Sequence, residues 1–203
     1  MGEDTRARIL KSALKLFSEK GYLGAKTKEI AKASGISEVT LFRYFPNKEN
    51  LFISVLEQYS FLPKLKELVK DLSDGPLEES LKTLAKAFLQ VLRGKRDLMR
   101  IMLSELTRYP EIIRDSYQKT IEKIIEELSA YFKNLQDKGL LETSIPSSSL
   151  ARAFLGLFFS YFYATEIKGF NLKGPTEEEL ISQYVKLFLG GAASKYLKNN
   201  KIT

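Results

Sequence analysis

Apolar side chains recur along nearly the whole chain at intervals of three, four and seven, the spacing of one face of an α-helix. Ile9, Ala13, Leu16 and Phe17 form the first stripe, which Gly21 ends. Thr27 to Ser34 predicts a short helix with Ile30 and Ala31 inward, broken at Gly35. Ser37 is placed to cap a second short helix, Glu38 to Phe45, which Pro46-Asn47 stops. Asn47 caps a longer helix with Leu51, Phe52, Val55, Leu56 and Tyr59 inward. Pro63 lacks an amide proton and is expected to kink or end it.

Asp74-Gly75-Pro76 separates this region from a clear stripe, Leu77, Leu81, Leu84, Phe88 and Leu92, that runs to Gly94. A further helix covers Asp97 to Arg108. Pro110 opens the longest pattern, from Ile113 to Leu135, and Gly139 closes it. Ile145-Pro146-Ser147-Ser148 starts an aromatic helix reaching about Ile167. Thr176 with Glu179 forms a capping box for the last helix, striped by Leu180, Tyr184, Leu187 and Phe188. No strand alternation and no repeat interrupts the sequence. The expected fold is all-α, with about nine helices.

Composition narrows the chemistry. The 203 residues include no Cys and no His, which removes disulfide scaffolds, zinc fingers, thiol nucleophiles and Ser-His-Asp triads. No metal and no cofactor is expected. The net charge of +7 is uneven: residues 1–48 carry 10 Lys/Arg against five Asp/Glu (+5), the rest 22 against 20 (+2). A basic segment on a near-neutral remainder fits a polyanion, nucleic acid first and an anionic membrane second; a solubilising Lys-rich surface is the alternative. The longest apolar run, Ala153 to Ala164, has 12 residues, short of the roughly 20 a bilayer crossing takes. Lys11 and Lys15 interrupt Ile9 to Leu16, so no signal peptide is expected and the chain reads as cytoplasmic, without a membrane partner.

Residues 27–41 have the spacing of a helix-turn-helix. A tight turn between two short helices calls for glycine, here Gly35, because a positive φ is costly for any other residue. Ala31 allows the helices to cross closely, and Ile30, Ile36 and Leu41 fill the wedge between them. An ordinary αα-hairpin could share these features. The outward face adds weight to DNA binding: at about 100° per residue, Val39 and Arg43 project almost opposite Leu41 and Phe45. Arg43 suits guanine O6 and N7, while Val39, Thr40 and Phe42 suit thymine methyls. Tyr44 and Lys48 suit phosphate oxygens, as does the start of the preceding helix at Thr27 and Lys28. Ser37 and Glu38, opening the second helix, complete the set.

Residues 6–56 resemble the DNA-binding domain of the tetracycline-repressor (TetR) family. The match runs Ile9-Leu10-x-x-Ala13-x-x-Leu16-Phe17-x-x-x-Gly21-Tyr22, then Thr27-x-x-Ile30-Ala31-x-x-x-Gly35-Ile36-Ser37, then Leu41-Phe42-x-Tyr44-Phe45-x-x-Lys48-x-x-Leu51. The family pattern often has Tyr where this chain has Phe42, and Arg43 falls at a variable position, which suits a residue setting operator preference. The resemblance implies a DNA-binding domain at 1–47 and a ligand-binding and dimerisation domain at 48–203.

One helix-turn-helix reads few base pairs, so a homodimer on a palindromic operator in double-stranded DNA is expected. The resemblance implies pairing through the last two helices. The aromatic helix carries six aromatics within ten residues, from Phe154 to Tyr163, and must bury two faces. One face, Leu155, Phe159, Phe162 and Tyr163, with Tyr184, Leu187, Phe188 and Gly191 of the last helix, is set against the second subunit. Phe154, Phe158 and Tyr161 would line the interior. With Phe88, Leu92, Met99, Met102, Leu103 and Tyr117 they form the candidate pocket that the resemblance implies for a hydrophobic or amphipathic effector. The function expected is a ligand-responsive regulator, a repressor released by its effector and not an enzyme. A soluble carrier or enzyme for an apolar ligand that does not bind DNA is the competing reading.

Overall fold

A computed structural model describes residues 3–72, 75–171 and 173–192, so Asp74 lies outside the described residues. These form ten α-helices and no β-strand: α1 (Glu3–Gly24), α2 (Thr27–Ala33), α3 (Glu38–Tyr44), α4 (Lys48–Tyr59), α5 (Leu62–Asp71), α6 (Leu77–Gly94), α7 (Arg96–Glu105), α8 (Glu111–Asp137), α9 (Ser147–Phe162) and α10 (Glu177–Ala192). A 3-10 turn (Leu106–Arg108) follows α7, and a π-helical turn (Tyr163–Ile167) extends α9. The all-α expectation holds.

Two boundaries differ from the sequence reading. α1 continues past Gly21 to Gly24, because glycine accommodates a φ of 71° and the helix resumes beyond the kink. Pro63 neither kinks nor stops α4, which ends at Tyr59. It sits instead in the first turn of a separate helix, α5, where a missing amide proton costs nothing. The signal that reads as a stop is a start.

The chain divides into two compact units, the first from residues 3–60 and 95–121, the second from 61–94 and 122–192. The core of the first draws Ile9, Ala13 and Phe17 from α1, Ile30 and Ala31 from α2, and Leu41 from α3. Leu51, Phe52 and Val55 of α4, Leu98 and Met102 of α7, and Tyr109 and Ile113 complete it. The second unit is built on an aromatic cluster: Phe154 lies 5.1 Å from Phe158, 5.3 Å from Phe188 and 5.8 Å from Phe132, centroid to centroid. Gly139, at φ 72°, closes α8, with its amide donating to Gln136 O and that of Leu140 to Leu135 O. Arg93, late in α6, donates to Glu166 in the π-turn at 2.9 Å and clasps Glu177 in the first turn of α10.

Candidate nucleic-acid interface

The turn between α2 and α3 is fixed by backbone chemistry. Ser34 ends α2, Gly35 follows at φ 68°, and the amides of Gly35 and Ile36 donate back to Lys32 O and Ala31 O, both at 3.1 Å. This doubly bonded stop needs a left-handed residue after the cap, which only glycine supplies without strain. Three residues later the Ser37 hydroxyl accepts the amide of Thr40 at 3.1 Å and caps α3. Leu41 is fully buried in the wedge with Ile30 and Ala31. Helix α3 is thereby held by one flank and displays the other.

The displayed flank is where the outward residues fall. Val39 is 74% exposed, Phe42 is 41% exposed and Arg43 is exposed. Burying a Val or Phe side chain stabilises by about 1.5–3 kcal/mol, so these two exposed side chains forgo that gain in the single chain. The Thr27 hydroxyl donates to Glu38 Oε1 at 2.5 Å. That bond ties the first turn of α2 to that of α3 and holds the Glu38 carboxylate, with exposed Lys26 and Lys28 at the α2 start. Ser37 is exposed; Thr40 and Tyr44 are half-buried.

Lys48 is also half-buried and its ammonium turns inward, donating to Leu23 O at 3.3 Å and lying 4.6 Å from the Tyr22 ring centre. Burial lowers its pKa, and neighbouring Glu49 opposes the shift. Beside it the Tyr22 hydroxyl donates to Glu49 Oε1 at 2.6 Å. Burial and then this carboxylate push the Tyr22 pKa well up, while the donated bond draws that of Glu49 down. Tyr109 packs edge-on against Tyr22 and Phe52, and its hydroxyl, pushed up to about 12 by burial, accepts the Tyr22 amide. A salt bridge from Lys20 to Glu29 at 2.9 Å joins α1 to α2.

Several of these groups escape the sequence reading. Tyr109 is 87 residues from Tyr22, and nothing in local spacing joins them. Arg6, whose guanidinium carbon lies 5.3 Å from the Phe45 ring centre, is likewise unmarked by any stripe.

The candidate pocket residues separate between the units. Met99, Met102, Leu103 and Tyr117 belong to the first, where Met102 is core and Tyr117 packs against the core. Phe88, Leu92, Phe154, Phe158 and Tyr161 belong to the second. Of the pairing face, Leu187 is 66% exposed and Gly191 is exposed, while Leu155, Phe159, Tyr163 and Tyr184 are half-buried. Phe162 and Phe188 require correction: at 0% and 7% exposure they are buried in the chain's own core. A helix apolar nearly all round gives no phase from which to choose its outer side. Among the described residues no helix is long and apolar enough to cross a membrane.

Comparison with known proteins agrees with this geometry. Residues 9–55 match the family model of bacterial regulatory proteins of the tetR family, and residues 79–191 match that of the AefR-like transcriptional repressor C-terminal domain. The HTH-type transcriptional regulator YvkB of Bacillus subtilis is 27% identical over 94% of this chain and 98% of its own length. A solved TetR-family transcriptional regulator from Mesorhizobium loti superposes with a TM-score of 0.77 at 25% identity, over 95% of this chain and all of that one. The transcriptional regulator FadR of Bacillus subtilis, solved with stearoyl-CoA, shares the fold with a TM-score of 0.74 at 17% identity, over 91% of this chain and 98% of that one.

Proposed function

The chain belongs to the TetR family of bacterial transcriptional regulators, and from that premise we propose that it is a repressor that binds a palindromic operator as a homodimer and leaves it when an apolar or amphipathic effector binds. The observation that carries the reading is the exposed Val39, Phe42 and Arg43 flank of a helix whose other flank is locked by the Gly35 turn. In a major groove, Arg43 donates to guanine O6 and N7, and Val39, Thr40 and Phe42 meet thymine methyls. Thr27, Lys28, Ser37 and Tyr44 surround that contact and fix its register against the backbone. Glu38 serves by holding the Thr27 hydroxyl, and Lys48 reaches a phosphate by releasing Leu23 O.

DNA is taken up through residues 1–47, and residues 48–203 hold the effector and the second copy. Leu155, Phe159, Tyr163, Tyr184, Leu187 and Gly191 form the pairing face. Two reading heads then meet half-sites about one DNA turn apart, roughly 34 Å. The effector site draws on Phe88, Leu92 and Tyr161 with Phe154 and Phe158. Its occupation is read out by α4, which directly follows the reading helix and is bonded to α1 through Tyr22 and Glu49. A coupling of about 1–3 kcal/mol lowers operator affinity about 5- to 150-fold. The protein works in the cytoplasm and carries out no catalysis.

Selection of bound sequences from random duplex DNA tests this directly. A palindrome with half-sites about one turn apart is expected, with binding weakened by an amphipathic probe such as stearoyl-CoA. Failure to enrich any motif, with no salt-sensitive complex, overturns the reading.

A further inference from the structure

We propose that Arg6, on α1, is a DNA-backbone contact of the reading head, a cation held ready for phosphate by the Phe45 ring at the end of α3. The inference rests on the DNA-binding reading above and adds a contact from outside the helix-turn-helix. Phe45 is 2% exposed and caps α3, so its ring is a fixed platform. Arg6 is exposed, and its guanidinium carbon lies over that ring, 5.3 Å from the centre. A guanidinium over a ring keeps N–H donors for a second partner, and its planar fork matches two phosphate oxygens. Phe45 is the residue that follows Tyr44 at the end of α3, so Arg6 lies at the C-terminal end of the reading helix.

Three of the neighbouring cations already have partners. The Lys48 ammonium donates to Leu23 O and covers Tyr22, Lys20 pairs with Glu29, and Arg8 lies 3.8 Å from Asp4. Among the described side chains no carboxylate pairs with Arg6. Of the described basic groups of α1, Arg6 is the one held over an aromatic ring. A backbone contact positions the protein without reading sequence, so its loss weakens all duplexes alike.

The test is a salt titration of duplex binding by the full-length protein, between about 50 and 200 mM salt, on a selected operator and on an unrelated duplex. Arg6→Met, which keeps an apolar stem on Phe45, is expected to lower the slope of log affinity against log salt by about 0.9 per bound subunit on both duplexes. Arg6→Lys is expected to keep the wild-type slope. Should Arg6→Met melt early, Arg6→Gln must show the same reduction. A wild-type slope retained by the neutral variants assigns Arg6 to holding α1 against α3 and overturns the proposal alone. A wild type with no salt-sensitive complex overturns the DNA-binding reading with it.

Discussion

Tyr22 at the end of α1 and Glu49 at the start of α4 are joined by a hydrogen bond of 2.6 Å from hydroxyl to carboxylate. The pair brackets the helix-turn-helix in sequence, so the reading head is tied at both of its ends. A bond to a charged acceptor contributes about 1.5–3 kcal/mol when buried, and the part-exposed Glu49 reduces that to about 1 kcal/mol. Tyr22→Phe keeps the ring contacts with Phe17 and Phe52 and removes only the hydroxyl. A melting temperature lower by about 2–4 °C is expected in calorimetry.

The same pair predicts a pH signature. Glu49 titrates lower in the folded chain than its ordinary 4.5, so its contribution is full above 4.5 and is lost as pH falls through the folded value. Tyr22 titrates above its ordinary 10.0, so its contribution is full below 10 and is lost as pH rises through the folded value. The stability gap between wild type and Tyr22→Phe is therefore flat from about pH 5 to 9 and narrows at both ends. Denaturant midpoints measured across pH check this; a gap that widens on acidification contradicts it.

Gly21 and Gly35 share a positive φ but differ in surroundings. A methyl group at Gly35 meets nothing within 4 Å, so Gly35→Ala costs only backbone strain, about 1–2 kcal/mol. At Gly21 the same methyl would stand 2.7 Å from Glu105 Oε2 and 3.1 Å from Ile101 Cγ2. The Glu105 tip can swing aside, so Gly21→Ala is expected to cost more by up to about 1 kcal/mol, from the Ile101 contact and the lost Tyr109–Glu105 bond, measured by chemical denaturation. Equal losses would remove the packing argument.

Arg43→Ala is expected to leave stability unchanged, because the side chain is exposed, and to relax discrimination at one base pair of each half-site by about 1–3 kcal/mol. Competition binding with single-base operator variants measures it. An unchanged preference at every position removes Arg43 from base readout.

Leu187→Glu tests the pairing face without touching the core, since Leu187 is 66% exposed in the single chain. A charge there opposes burial against a second copy. Light scattering is expected to show the mass of one chain where the wild type shows two. A dimeric variant places the contact elsewhere.

The parts of the molecule legible in the sequence are those fixed by near neighbours. Gly35, the Ser37 cap and the Thr176–Glu179 capping box each act within five residues, and the geometry found is the one spacing predicts. Pro63 was ambiguous because the same missing amide proton suits the end of one helix and the start of another. Phe162 and Phe188 fall inside and not on the outer face because an apolar girdle carries no phase. Tyr109 and Glu105 were invisible as partners of the Gly21 kink, since only tertiary packing brings α7 against α1.

The arginine late in α6 has a consequence for how α10 is held. Because Arg93 grips carboxylates on both sides of the connection between residues 167 and 177, it clips the start of α10 to the end of α9 where the aromatic packing of Phe188 does not reach. Losing the cation would therefore loosen the first turn of α10 while leaving its later turns seated.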